Sequence, residues 1–507
     1  MKYVVTKAEM QSADYYTSDE LGLSSAVLME RAALGAADEI CKRFGTDGAP
    51  VRVCIVCGSG NNGGDGFALG RILNERGFFV HFFMAGEAQK ASKANELQRK
   101  ILSNLGLAVS TGQPVEEYDI IVDAVFGTGL GRNIEGAYRD VIRSLNEKKG
   151  FKVALDIPSG ICADSGKELG CAFLADLTVT FGFYKWGQLL YPGKSFCGEV
   201  ICKDIGITEK SFGGRLPVGR MTEKTDMSLL PKRIPDSHKG TYKKAGVIAG
   251  SEKMGGAAVL CSRAAMKTGV GYVKVMSHFS NRDLVLSHTP EALVYIYGDY
   301  TAHPLEKLRD CSAVAMGPGI GVSEEMKELL EALFEKYDST LILDADAINL
   351  MAKYPSLKEG LKKYASKIKG KGRRVVLTPH KREFVRFCGV SFGEDFLAEH
   401  KKALETAKEY DVVIVLKDAV TRIYTPEGTV YINTTGNPGM STAGSGDVLT
   451  GILAGLSAQM EDAAMAAVLS VYIHGMCGDL AAEEGNPYSV TATDIAEALK
   501  FVLREEA

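Results

Sequence analysis

No apolar run in this sequence approaches the eighteen or so residues that would span a bilayer, and the opening Met1-Lys2-Tyr3-Val4-Val5-Thr6-Lys7 lacks the apolar core of a signal peptide. A cytoplasmic protein with no membrane partner is expected. Nor is there an excess of one charge. The 59 basic and 63 acidic residues leave a formal charge of −4, which gives no bulk attraction to nucleic acid. The lysine-rich run KKYASKIKGKGRR (362–374) reads as a solvated helix face and turn. His81, His278, His288, His303, His400 and His474 show no metal spacing and read as surface or packing residues. The eleven cysteines are odd in number and scattered through apolar segments, the pattern of reduced, buried thiols. Cys54 and Cys57 have C-x-x-C spacing but fall inside an expected strand with no second pair. No fixed-period repeat is present. These absences favour a small soluble ligand.

The 507 residues exceed what one hydrophobic core usually supports, and 46% hydrophobic with 24% charged residues suits two ordinary globular domains. Short apolar runs alternate with amphipathic stretches from Val51–Val56 through Phe79–Met84, Ile120–Val122, Val153–Leu155, Leu177–Phe181 and Val200–Ile205. Such alternation predicts βαβ units and a mostly parallel α/β sheet. Thr6–Arg43 reads as helical and caps that sheet. Periodicity fails between Ile207 and Pro235, in a stretch rich in Gly, Pro and charge, so the seam is placed there. Beyond it the alternation restarts, from Gly246–Ala249 to Val412–Leu416, and predicts a second three-layer α/β domain.

Ligands on parallel sheets bind beyond the carboxyl ends of strands. Three such ends in the first half carry concentrated polar residues: GSGNNGGDG after the first, DAVFGTGLGRN (Asp123 to Asn133) after the third, and DIPSG (Asp156 to Gly160) after the fourth. A helix opening near Asp65 would aim its N–H groups at an anion, so a pyrophosphate ligand is plausible. Gly58, Gly60 and Gly63 fit the dinucleotide fingerprint G-x-G-x-x-G, which alone is a weak signal. A hydride-transferring dehydrogenase fits poorly, because the polar run Asn61–Gly66 is not a simple pyrophosphate turn. The second strand end offers only Glu87, late in its loop, for a ribose hydroxyl. Asn62, Asp123 and Ser159 instead offer oxygen donors with one carboxylate, which suits a hard, weakly charged cation.

These motifs, with LME at Leu28–Glu30 and FGFYKWGQLLYPG at 181–193, resemble the NAD(P)H-hydrate epimerase domain over about residues 1–212. The resemblance implies a Rossmann-like fold. It implies a substrate cradle of Asn61, Asn62, Gly63, Gly64 and Asp65 with Gly127, Thr128, Gly129, Leu130, Gly131, Arg132 and Asn133. It also implies potassium at Asn62, Asp123 and Ser159, and ligand contact at Asp156. Hydrated NAD(P)H carries a hydroxyl on C6 beside the ring nitrogen, so its C–O bond can open with help from the nitrogen lone pair and close on either face. One carboxylate able to move a proton would serve, and Asp156 is the candidate, with turn capping as its alternative. Lys185 is either a phosphate or acid partner, or a solvated surface lysine.

In the second half NTTGNPGMSTAGSGDVLTGILAGLSAQ (Asn433 to Gln459) leads through Gly444, Gly446 and Asp447 into a clear apolar helix. Converging N–H groups with a carboxylate in the first turn are what phosphoryl transfer needs. With GPGIG (317–321), TPHKREF (378–384), LKDAVTRIY (416–424) and HKGTYKKAGVIAGS (238–251), the stretch resembles a ribokinase-like fold. More closely it resembles the ADP- or ATP-dependent NAD(P)H-hydrate dehydratase domain, over about residues 222–507. The resemblance implies ADP contacts at Lys417, Asp418, Ala419, Val420, Thr421 and Gly446, and substrate contacts near Ala257, Gly319, His380 and Asp447, the last catalytic. Lys381-Arg382 and Ser441-Thr442-Ala443-Gly444 depart from the usual pattern of relatives without removing the anion hole or the acid. Two αβα domains acting in turn on hydrated NADH and NADPH are thus expected, with ADP as co-substrate, Mg²⁺ in the second domain and homo-oligomeric assembly. A vitamin or sugar kinase carrying a nucleotide-binding module is the alternative.

Overall fold

A computed structural model of the chain describes residues 1–45, 51–86, 90–112, 114, 116–298, 304–393 and 395–503; Glu87 and His303 lie outside them. The chain forms two compact units, Lys2–Val218 and the part from Gly219 onward.

The N-terminal unit contains β1 (Lys2–Val5), β2 (Arg52–Cys57), β3 (Phe79–Met84), β4 (Val109–Thr111), β5 (Ile120–Ala124), β6 (Phe151–Leu155), β7 (Leu177–Phe181), β8 (Tyr184–Lys185) and β9 (Glu199–Lys203). Its parallel sheet has the order β4-β3-β2-β5-β6-β7-β9. Strands β5 and β7 are buried at every residue, as expected of parallel strands covered on both faces. The chain steps outward from β2 to β4 and then returns to β5 beside β2, so the loops after these two strands open together at the carboxyl edge. That is the switch point at which such sheets hold ligands.

Two expectations shift here. Thr6–Arg43 is not one helical stretch but the helices Lys7–Tyr15 and Ser25–Phe44, separated by a π-helical turn at Tyr16–Glu20. The hydroxyls of Thr17 and Ser18 donate to the carbonyls of Ala13 and Asp14, and Gly22 takes a φ of +75° that ends the run. The helix expected near Asp65 starts earlier, at Asn61, and runs to Glu75. Its glycines let it lie close on the sheet: a Cβ on Gly66 would stand 2.5 Å from the Ala124 side chain, and one on Gly70 2.1 Å from the Phe82 ring.

The C-terminal unit contains β10 (Gly219–Met221), β11 (Lys244–Ile248), β12 (Tyr272–His278), β13 (Leu293–Tyr297), β14 (Ala313–Met316), β15 (Thr340–Leu343), β16 (Val375–Leu377), β17 (Val412–Leu416), β18 (Arg422–Tyr424) and β19 (Val430–Ile432). The parallel order β13-β12-β11-β14-β15-β16-β17 continues into β18 and β19, which pair antiparallel. Helices Gly255–Lys267 and Ser445–Gln459 pack at very short range, since a Cβ on Gly451 would fall 2.2 Å from the Cys261 carbonyl oxygen.

One helix corrects the reading of apolar runs. Ala463–Glu484, 22 residues with a mean hydropathy of 1.4 over its most apolar window, is long and apolar enough to cross a membrane, yet 67% of that window is buried inside the protein. Ser470 and His474 interrupt the run, so no uninterrupted apolar stretch marks it in the sequence.

Candidate active sites

A cavity of about 980 Å³ opens at the N-terminal switch point. Asn61, Asn62 and Asp65 enter its wall from the start of the helix after β2, Gly127 to Arg132 from the loop after β5, Asp156 from the end of β6 and Lys185 from β8. Other residues of the expected cradle turn elsewhere. Gly63 packs where a Cβ would strike the Gly58 carbonyl oxygen at 1.9 Å, Gly64 packs on the Met29 side chain, and the Asn133 side chain lies against Gly170. Two of the three fingerprint glycines, Gly58 and Gly63, therefore serve close backbone packing: a Cβ on Gly58 would stand 2.0 Å from the Val125 carbonyl oxygen.

Asp156 is held at a φ of +65°, a conformation costly for any residue with a Cβ and one that persists only when the surroundings fix it. Its N–H donates to the Val179 carbonyl at 2.8 Å and Gln188 Nε2 donates to its carbonyl at 2.5 Å. Lys185 Nζ donates to Asp156 Oδ1 at 2.5 Å, and the Thr180 hydroxyl to the same oxygen at 3.1 Å. Lys185 is 1% exposed and also donates to Thr180 Oγ1 and the Phe181 carbonyl, which overturns its reading as a solvated surface residue. The cavity wall also includes Asp14, from helix Lys7–Tyr15. Burial, with Asp156 adding to it against Lys185, pushes the Asp14 carboxyl up to about 6, and burial lifts Asp65 well above the carboxylate range.

Beneath the cavity Asp123 is fully buried. It accepts from the Ser159 hydroxyl and N–H at 2.7 Å each and from the Val125 N–H at 3.1 Å. Burial raises its carboxyl to about 6. Asn62, whose side chain faces Gly127, keeps both amide atoms buried without a hydrogen-bond partner among the described residues. A buried carboxylate, a hydroxyl and an unpartnered amide oxygen are a donor set that suits a hard monovalent cation. Among the described residues no group of three or more His, Cys, Asp or Glu side chains could hold a transition metal.

In the C-terminal unit the carboxyl ends of β11, β14, β15, β16 and β17 are neighbours in the sheet, and the loops that follow them converge. Asp447 lies in the first turn of helix Ser445–Gln459, behind Gly444 at a φ of +88°. The leading amides of such a helix have no intrahelical acceptor and carry its positive dipole end. A Cβ on Gly446 would come 3.5 Å from Lys417 Nζ, which joins the helix start to the loop after β17. The Lys417 N–H donates to the Pro379 carbonyl, bringing His380 alongside. Asp418 pairs with Lys381 at 2.8 Å, and Val420 is buried. The Cβ position of Gly319 falls 3.1 Å from the Ala257 side chain, next to the same edge.

The group that sequence reasoning missed is Asp344, at the end of β15. Lys417 Nζ donates to its Oδ1 at 2.7 Å and the Thr450 hydroxyl to its Oδ2 at 2.7 Å. Burial works against both charges of the pair, but their attraction wins: Lys417 is raised and Asp344 lowered from their ordinary values. Burial, then the Asp344 charge, pushes Asp447 up to about 6. The neighbouring Ala345 has a φ of +46°, a strained conformation beside the site. His474, read from sequence as a packing residue, contacts Ser445 Oγ through Nε2 at 3.3 Å, and burial holds it down to about 4, neutral at the helix start.

The folds and sites define a two-headed α/β enzyme, one half with an ion-paired carboxylate in a glycine-walled cavity, the other kinase-like with an acid at a helix start. Residues 25–187 match the family described as YjeF-related protein N-terminus, and residues 245–500 the family described as NAD(P)H-hydrate dehydratase. The chain is 35% identical to the bifunctional NAD(P)H-hydrate repair enzyme Nnr of Thermofilum pendens, over 99% of this chain and 96% of that protein. It is 34% identical to the protein of the same name in Moorella thermoacetica, over 99% and 97%. A crystal structure of a ribokinase-like superfamily protein from Enterococcus faecalis matches with a TM-score of 0.51 at 27% identity, over 58% of this chain and 98% of that one. The chain belongs to the family of bifunctional NAD(P)H-hydrate repair enzymes.

Proposed function

We propose that the protein restores NADH and NADPH that have taken up water at C6 of the nicotinamide ring, interconverting the two C6 epimers in the N-terminal cavity and dehydrating the S epimer in the C-terminal site at the expense of ADP. The observation that carries this reading is the presence of both sites in one chain: Asp156 paired with Lys185 in a dinucleotide-sized cavity, and Asp447 with Lys417 at a helix start.

In the C-terminal site Asp447 takes the proton of the C6 hydroxyl as that oxygen attacks the β-phosphorus of ADP and AMP leaves. The leading amides of its helix and the Lys417 ammonium hold the charge on the moving phosphoryl group. The ring nitrogen then expels phosphate, and loss of a proton from C5 restores the reduced ring. Mg²⁺ would accompany the diphosphate. In the N-terminal site the nitrogen lone pair opens the C6–O bond and water closes it from the other face, with Asp156 moving a proton. Asn62, Asp123 and Ser159 would hold potassium, whose charge supplies a counterion for the dinucleotide phosphates. Hydrated NADH, ADP and Mg²⁺ mixed with the protein should yield NADH, AMP and phosphate in equal amounts. A stable phosphorylated product without NADH would sink the reading. Removing potassium should slow epimer interconversion and leave dehydration of the pure S epimer unchanged, and an unchanged interconversion rate would remove the ion from the account.

A further inference from the structure

Helix Lys7–Tyr15 is docked onto the N-terminal site by its first residue: the Lys7 N–H donates to Asp164 Oδ1 at 2.6 Å and its ammonium to the Gly129 carbonyl at 2.7 Å. Met10, one turn on, packs against Gly182 at the end of β7. The helix thereby becomes a wall of the cavity, contributing Met10, Gln11 and Asp14 to it. The Asp14 carboxyl makes no hydrogen bond or ion pair with any described residue, and it stands close enough to Asp156 and Lys185 to feel both charges. Asp156, by contrast, is gripped from several sides and committed to Lys185.

We propose, resting on the epimerase reading of this cavity, that Asp14 is its second catalytic carboxyl, the acid that protonates the departing C6 hydroxyl while Asp156 is the base for the water that replaces it. The step balances. The ring nitrogen's lone pair forms a C=N bond, the C6–O pair goes to oxygen, the Asp14 proton joins it, and water leaves. A water molecule then adds to C6 from the other face, one of its protons passes to Asp156, and the C=N electrons return to nitrogen. Turnover in the reverse direction, or exchange with solvent, restores both groups. Asp156 is committed to Lys185, whereas the Asp14 carboxyl, unpaired in a partly dry wall with its pKa near 6, can both give and take a proton around neutrality. Asp65 lines the same cavity, but burial raises its carboxyl well above its ordinary value.

The test uses the full chain, whose dehydration of the pure S epimer reports that the variant protein is folded and active. Asp14→Asn should lower the kcat of epimer interconversion by ~10²- to 10⁴-fold, the usual worth of a positioned acid or base, with KM and S-epimer dehydration unchanged. In Asp14→Ala the vacated wall should admit formate and recover part of the lost rate. A rate kept within threefold in Asp14→Asn, a loss confined to KM, or a loss in Asp14→Ala that formate does not restore would overturn the proposal. Asp156→Asn separates the two levels of the argument. If it stops interconversion and Asp14→Asn does not, only the role of Asp14 falls; if the unaltered protein interconverts no epimers, the epimerase reading falls with it.

Discussion

Asp447 is pulled in two directions: burial and the Asp344 charge raise its pKa to about 6, while Lys417 draws it down. At neutral pH it is therefore ionised and able to accept the hydroxyl proton, and its driving force as a base is greater than that of an ordinary carboxylate. The kcat/KM of dehydration should fall to half near pH 6 on the acid side; a profile flat to pH 4 would remove Asp447 as the base. Asp447→Asn should cost ~10²- to 10⁴-fold in dehydration and leave epimer interconversion intact. The same shift carries a stability sign. The folded-state value lies above the unfolded 3.8, so the native protein holds the proton more tightly and the ionised form is the unfavourable one. Asp447→Asn should thus raise Tm at pH 8, with the gain shrinking as pH falls through 6 and vanishing below about 4; a lower Tm at pH 8 would contradict it. Asp344→Ala works the other way, leaving Lys417 buried without its partner, and should destabilise by about 3–5 kcal/mol in denaturant titration. Asp447 was legible as a candidate because glycines lead into its helix, and Asp156 because it opens the polar strand end DIPSG (156–160). Asp344 could have been found by the same logic, as an acid at the carboxyl end of a strand in a parallel sheet. Asp14 could not, because on an amphipathic helix a carboxylate that walls a cavity reads like one that faces water.

At the scale of elements, helix Ser445–Gln459 carries the proposed phosphoryl-transfer end, and its position depends on residues one and two turns beyond Asp447. Gly451 and Gly455 lie where a Cβ would meet the Cys261 carbonyl oxygen at 2.2 Å and Thr268 Oγ1 at 2.0 Å. Gly451→Ala should push this helix off helix Gly255–Lys267, cost about 1–3 kcal/mol by overpacking, and depress dehydration through misplacement of the helix start, with interconversion unaffected. Normal dehydration in that variant would show that the close packing does not set the site. The parallel strands were legible as apolar runs between helices. Six others were not: β1, β4, β8, β10, β18 and β19 are two to four residues long and most carry polar or charged residues, as β18 does in opening with the buried Arg422, so no apolar run marks them. The glycine loops were read as phosphate cradles, whereas much of their glycine serves backbone and helix-to-sheet packing, a use that leaves the same mark on a sequence.

At the scale of the molecule, alternation of strands and helices on either side of an irregular stretch made the α/β class readable, and the two units divide between Val218 and Gly219, inside that stretch. The arrangement of strands within each sheet was not readable, because the choice of neighbours for β2 and β5 depends on crossover connections that leave no local pattern. The central claim is that one chain completes a repair that neither site performs alone. It is tested by giving the whole protein an equilibrated mixture of the R and S epimers of hydrated NADH, with excess ADP, Mg²⁺ and potassium, and following NADH absorbance to its end point. The account predicts full conversion by the unaltered protein, a stop at the S fraction for Asp156→Asn apart from slow spontaneous epimerisation, and no NADH for Asp447→Asn on the same timescale. Full conversion at an undiminished rate by both variants, or no NADH from the unaltered protein, would contradict it.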